Sequence, residues 1–355
     1  MSSIPSAHGV DHLAFTVPHL GDAIAFFCDA LGAELVYELA PVQDSRGQWM
    51  RRQFDVHERA VARVAMLRVG PVTNVELFEY QTPDEQASPP RNGDWGSHHL
   101  GFYVADMNAA VSYLERLEGV RLRSDPVCMP GGPDARDQFV YFDTPIGLLM
   151  EIHHAPTGTP PEAQTGARRF GPCPEWHPPG HGIPTARNVD HLGLTVPYLP
   201  AAERFFCAHL GAEVVHRLDA TWLEAGFMAR LGVPAAGIVQ QSLLRLGPTS
   251  NIALFQFEIP GQQQLSPSHS DHGGHHIAFA VSDVDGAAGY LNSLREVEPL
   301  GTPQAEREGP IAGTRWQYFR TSWGLHVEII DMPPGVPLDR PAAAARCELD
   351  AAVPG

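Results

Sequence analysis

The sequence predicts an α+β fold in which four βαβββ modules pair into two domains. Three features carry this reading. The chain has 355 residues, too long for one ordinary domain and suited to two. Its first half recurs in its second. Within each half a shorter pattern recurs again, opening each time on a strand signal followed by a helix signal.

The long repeat is legible directly. Val10 to Pro18 (VDHLAFTVP) returns as Val189 to Pro197 (VDHLGLTVP). Phe26 to Glu34 (FFCDALGAE) returns as Phe205 to Glu213 (FFCAHLGAE), and Leu67 to Phe78 (LRVGPVTNVELF) as Leu244 to Phe255 (LRLGPTSNIALF). A shift that stays between 177 and 179 residues means duplication of a whole domain. The short repeat relates Asp11 to Val17 with His98 to Val104, and Asp190 to Val196 with His275 to Val281. The expected domains are 8–155 and 186–332. A Pro/Gly-rich linker over 156–185 separates them and a Pro/Ala-rich tail follows over 333–355.

In the first module, Leu13, Phe15 and Val17 alternate with His12, Ala14 and Thr16, which is the period of a strand. Ile24, Phe27, Cys28 and Leu31 then sit at helical spacing over 22–31, and Gly32 supplies a stop. Two or three more strands follow, the clearest over 74–80. The second and fourth modules have helices expected over 106–117 and 283–294. Asp22, Asp106 and Asp283 are expected as helix caps or first-turn residues.

Composition excludes several function classes. The net charge of −17, with no basic run, argues against a nucleic-acid partner, because a phosphate backbone demands clustered Lys and Arg. No apolar run reaches the roughly 18 residues that cross a bilayer, so no membrane partner is expected. The N-terminus shows no positive region followed by an apolar one, so the protein is expected to be cytoplasmic. The five cysteines are odd in number and irregular in spacing, against a disulfide framework.

The chemistry lies in the repeat. His12, His99, His191 and His276 occupy equivalent places of the four modules, a pattern that points to metal ligation where a lone histidine would not. Glu76, Glu151 and Glu328 lie inside apolar strands, where a carboxylate is costly unless paired or bound to a cation. The residue two after each histidine is small (Ala14, Gly101, Gly193, Ala278), which predicts room above a metal for a substrate. His98 and His275 alternate to the opposite face. His153 and His326 share the faces of Glu151 and Glu328 and are acid–base candidates. Tyr141 and Tyr318 each stand ten residues before a carboxylate.

This arrangement resembles the vicinal-oxygen-chelate superfamily of glyoxalases, bleomycin-resistance proteins and type I extradiol dioxygenases, over nearly the whole chain outside the linker and tail. The resemblance implies two glyoxalase-like domains, with ligands from the first and last strands of each module. Carried over by residue, it implies an N-terminal site of His12, Glu76, His99 and Glu151, like that of bacterial glyoxalase I, for Ni, Zn, Mn, Co or Fe. It implies a C-terminal site of His191, His276 and Glu328, with Ala253 standing where the first half has Glu76. Two histidines and one carboxylate resemble the Fe(II) triad of extradiol dioxygenases. The expectation is therefore an oxidoreductase: a non-haem Fe(II) dioxygenase using O2 on a small catechol- or hydroquinone-like substrate at the C-terminal site. Tyr318, His326, Tyr141 and His153 are its catalytic candidates. Two departures stand against it: where such enzymes carry one histidine the neighbourhoods hold Gly309 and Gly132, and where they carry the other the neighbourhood holds Gln240 and Gln241. The alternative is a glyoxalase-like isomerase, epimerase or lyase at the His/Glu/His/Glu set, with Glu76 or Glu151 moving the proton. A second alternative is a protein that sequesters a drug without turnover. Family members often dimerise, so a homodimer is among the assemblies implied.

Overall fold

The computed structural model describes residues 3–44, 47–84, 86–128, 130, 137–154, 182–247 and 249–339. Most of the expected linker and the end of the expected tail lie outside the described residues.

Each module begins with a long strand: Ala7–Thr16, His98–Val104, Ala186–Thr195 and His275–Val281. A helix follows each, over Leu20–Ala25, Met107–Leu114, Leu199–His209 and Val284–Asn292, and further strands complete the module. The expected caps are present where the helix has its full length. The Asp106 side chain accepts a hydrogen bond from the Ala109 N–H at 3.0 Å, and Asp283 accepts one from Gly286 at 3.0 Å. Asp22 sits in the first turn instead. The first helix widens into a π turn over Phe26–Ala30 before Gly32, at φ 75°, lets the chain turn away.

The strands form two sheets of nine, and neither sheet follows one half of the chain. In the first sheet, the first module's Ala7–Thr16 pairs antiparallel with the fourth module's His275–Val281. In the second, the third module's Ala186–Thr195 pairs antiparallel with the second module's His98–Val104. The outer modules thus pair with each other and the inner modules with each other. The expected pairing inside each half is corrected here. The four modules are near copies, so their alternation matches equally well within and across halves, and periodicity cannot choose between the two pairings.

Alternation along these first strands divides the molecule into layers. Leu13, Phe15, Leu100, Phe102, Leu192, Leu194, Ile277 and Phe279 all enter one buried cluster together with the module helices. Each fully buried side chain of this kind stabilises the fold by about 1.5–3 kcal/mol. His98 and His275 also point this way, with ring centroids 4.5 Å apart. The opposite faces carry His12, His99, His191 and His276. Two short helices that the sequence did not announce pack over these faces. Trp49–Phe54 brings Met50 and Phe54 against Leu300, Trp316 and Tyr318, while Ala225–Met228 brings Met228 beside Phe139 and Tyr141. At six and four residues they are too short to show a helical period.

Candidate metal centres

The cross-pairing regroups the expected ligands. His12, Glu76, His276 and Glu328 converge in the first sheet, and His99, Glu151 and His191 converge in the second. All seven expected residues are ligand candidates, but the two expected sets are not formed. His191 is in one group while His276 and Glu328 are in the other. The structure therefore contains no His191/His276/Glu328 triad, and the group with His276 has four candidate ligands.

Register explains the convergence. His12 and His276 lie on adjacent strands, and Glu76 and Glu328 lie on the two strands that flank them in parallel. Across the strands the order is Tyr318, Glu328, His276, His12, Glu76, Met66. His12 Nε2 stands 3.1 Å from His276 Nε2, 3.2 Å from Glu76 Oε2 and 3.2 Å from Glu328 Oε2. His276 Nε2 stands 3.3 Å from Glu328 and 3.7 Å from Glu76. Ligands held at about 2.1 Å from a common ion stand roughly 3.0–3.4 Å apart, so these side chains fit a divalent cation. In the second group, His99 Nε2 is 3.1 Å from His191 Nε2 and 3.2 Å from Glu151, and His191 is 3.5 Å from Glu151.

Electrostatics agree with a missing positive charge in the four-ligand group. Burial pushes Glu76 and Glu328 above the usual carboxylate range, despite the pull of His12. Burial also lowers His12, but Glu76, Asp11 and Glu328 outweigh it and hold His12 well above its ordinary value. His276 is driven well below, by burial and then by His12. A cation among these groups would relieve both carboxylates at once. In the three-ligand group, burial acts against charge, but His191 is pushed up to about 9 by Glu151 and Asp190, and Glu151 is held low by His191 and His99.

The small residues near each histidine have a different purpose from the one expected. Gly193 lies opposite His99, and a Cβ there would come within 2.0 Å of His99 Cε1. A Cβ at Gly101 would come within 2.6 Å of His191 Cε1. The space is filled by the histidine of the neighbouring strand, so it admits a ligand side chain rather than a substrate.

Residues behind the ligands separate the two groups further. His12 Nδ1 is held by Asp11 at 2.7 Å and His191 Nδ1 by Asp190 at 2.6 Å. His276 Nδ1 is held by His269 Nε2 at 2.8 Å, and His269 Nδ1 meets the Tyr80 hydroxyl at 2.8 Å. Asn92 replaces His269 in the other group, and His99 Nδ1 has no hydrogen-bond partner among the described residues. The equivalence is fixed by main-chain contacts: Thr16 donates to the His269 carbonyl and Thr195 to the Asn92 carbonyl, both at 2.6 Å. Sequence reasoning missed His269 and Tyr80. The available signal was the pair of aligned segments 269–276 and 92–99, both ending in two histidines.

The catalytic candidates are placed as follows. The Tyr318 hydroxyl lies 3.3 Å from His276 Nε2, and the Tyr141 hydroxyl 3.2 Å from His99 Nε2. His326 is buried with its ring centroid 5.3 Å from that of His269. His153 lines a pocket with Glu151 and His191, its Nε2 3.4 Å from Asp137.

Two nine-stranded sheets, each holding a buried His/Glu group that could take a divalent metal, give the chain a tandem βαβββ architecture. The chain belongs to the glyoxalase/bleomycin resistance protein/dioxygenase superfamily, whose models match residues 11–141 and 188–329. It is 51% identical over 173 residues to a 2-epi-5-epi-valiolone epimerase of Actinomyces sp, covering 49% of this chain and 93% of that protein. It is 28% identical over 146 residues to the uncharacterized protein YaeR of Escherichia coli K12, covering 41% of this chain and 94% of that one. Among solved structures, glyoxalase I from Zea mays superposes with a TM-score of 0.54 at 14% identity, covering 91% of this chain and 92% of that one. A putative dioxygenase from Bacillus subtilis superposes at 0.56 with 16% identity, covering 95% and 89%. These two likenesses show the fold alone. The epimerase relative overturns the expected Fe(II) dioxygenase and the oxidoreductase class, and it favours the alternative. Among the described residues no helix is long and apolar enough to cross a membrane.

Proposed function

We propose that the chain is a metal-dependent epimerase acting at the four-ligand group. Its substrate would be a small polyhydroxylated ketone of the kind that 2-epi-5-epi-valiolone represents. The observation that carries the reading is a buried His/Glu/His/Glu set in a chain half of which is 51% identical to such an epimerase. A divalent ion held by His12, Glu76, His276 and Glu328 would draw charge onto a carbonyl oxygen and acidify the neighbouring C–H.

Epimerisation removes a proton from one face of a carbon and returns one to the other. Glu76 is the looser carboxylate: it meets only His12 closely, whereas Glu328 is held between His12 and His276 at 3.2 and 3.3 Å. The Tyr318 hydroxyl lies on the side of the group opposite Glu76, 3.3 Å from His276 Nε2. Glu76 therefore takes the proton on one side and Tyr318 supplies one on the other. Phe54, Trp316 and Leu300 close an apolar wall beside Tyr318, keeping bulk water from the exposed carbanion.

The test is proton exchange in D2O with 2-epi-5-epi-valiolone and metal-loaded protein. Glu76→Gln is expected to lower both deuterium uptake and epimerisation by about 10²–10⁴-fold. Tyr318→Phe is expected to slow epimerisation more than uptake, since removal and return at one face persists. Full activity in Glu76→Gln defeats the assignment.

A further inference from the structure

We infer that the three-ligand group is a binding site for a small carboxylate, which fills the corner that Ala253 leaves open beside a divalent metal. The inference rests on the metal-binding reading of that group and not on the epimerase reading.

The frame of the four-ligand group is reproduced there, with one member missing. His191, His99, Glu151, Tyr141 and Asp190 take the register places of His12, His276, Glu328, Tyr318 and Asp11. Ala253 stands beside Gly193 and opposite Leu243, as Glu76 stands beside Ala14 and opposite Met66. The position keeps its Cβ and lacks only the CH2–COO⁻ beyond it. With Ala253 in place of Glu76, the second group has one carboxylate donor fewer than the first. A ligand with a carboxylate head would restore that donor.

The surroundings have changed in the same direction. A pocket lies against Glu151, His191 and Tyr141, and the flanking Leu243 and Phe255 line it too. Gln241 and His153 enter this pocket from places that Val64 and Ile330 hold in the first group. Two apolar side chains have thus become hydrogen-bonding ones in the pocket, Gln241 on the strand next to that of Ala253 and His153 on the strand of Glu151. His153 is buried, and its Nδ1 makes no hydrogen bond among the described residues. A bound carboxylate of two or more carbons would place its head at the corner and its remaining atoms toward Gln241 and His153.

The test titrates the metal-stripped full chain with Zn2+ by calorimetry, in acetate and in chloride of equal ionic strength. Two classes of site are expected. Acetate should tighten only the weaker class, about tenfold for each tenfold rise in acetate above its own dissociation constant. Ala253→Glu should make that class tight without acetate and insensitive to it. A weaker class that acetate does not move, or an Ala253→Glu protein that still responds, overturns the inference. If Ala253→Glu does not fold, His99→Ala decides the matter: the acetate-responsive class must disappear, and its persistence overturns the inference. No catalytic rate is read, so loss of the epimerase reading would leave this outcome untouched.

Discussion

Replacing His269 by Asn would copy the three-ligand group into the four-ligand one at a single point. His269 is 1% exposed and bonds His276 Nδ1 and the Tyr80 hydroxyl, each at 2.8 Å. With His276 Nε2 turned to a metal, Nδ1 carries the proton and donates it to His269, whose own Nδ1–H donates to Tyr80. Asn cannot span that path, and at position 92 it leaves the matching His99 Nδ1 without a partner. The main chain should survive, because Thr16 holds the carbonyl of residue 269 whatever its side chain. Loss of support behind a ligating histidine typically costs about 10–100-fold in metal affinity, which is about 1.4–2.8 kcal/mol. Two buried polar groups left unpaired cost about 1–3 kcal/mol each in fold stability. The assay is competition between protein and a chromophoric chelator for Zn2+, with thermal unfolding measured in parallel. The expected result is weaker binding at the tighter site with unchanged stoichiometry. Affinity within twofold of wild type would refute the claim that His269 orients His276.

Other outcomes follow from the same geometry. Gly193→Ala should drive the His99 ring from its place, lowering metal affinity of the three-ligand group at least tenfold at an overpacking cost of about 1–3 kcal/mol, while the four-ligand group keeps its metal. Equal loss at both groups in a metal titration would contradict this. His191, raised to about 9, carries a proton at neutral pH in the absence of metal, so metal binding there should release about one proton at pH 7 and progressively less as pH rises past 9. Calorimetry in buffers of different ionisation enthalpy measures that number, and no release at pH 7 would show His191 to be neutral. The sign for stability is the same: a raised histidine stabilises the metal-free fold fully below about pH 6.5 and loses that contribution as pH climbs through 9. Zn2+ at a hundred times its dissociation constant should stabilise the fold by about 2.7 kcal/mol and raise the unfolding midpoint by roughly 4 °C.

The ligand side chains were legible because a duplicated chain writes each of them more than once. His12 alone would have read as a core histidine; four histidines in equivalent strands could not. Their grouping was not legible. Leu13 and Phe15 alternate with His12 and Ala14 whichever partner strand lies alongside, so the pattern fixed which face each ligand takes and left the partner open. The same limit misled the reading of Gly101 and Gly193. Small residues beside a ligand mark close approach, and only the neighbouring strand reveals that the approaching group is a histidine ring. His269 escaped because it lies in an irregular segment before a strand, where no period points at it. The oxygenase expectation failed for a related reason: it took three ligands that the fold distributes between two groups.

The cross-pairing also bears on why the two groups differ. Each group draws ligands from both halves, so the strand a mutation lies on, and not the half, decides which group it touches. A protein of half this length that built these two sheets from two copies of itself would carry two identical groups, because every residue would appear in both. In a single chain the copies are free to diverge. Glu76 and Ala253, His269 and Asn92, Tyr80 and Phe257, and Ile330 and His153 are register equivalents that now differ. The first three pairs keep polar support in the four-ligand group and remove it from the other; the last adds a polar side chain to the pocket of the three-ligand group. Random decay of an idle site would not be expected to bring both His153 and Gln241 into the pocket of that group. Duplication followed by specialisation accounts for both changes, and it is what the proposed division between chemistry at His12, Glu76, His276 and Glu328 and ligand binding at His99, Glu151 and His191 requires.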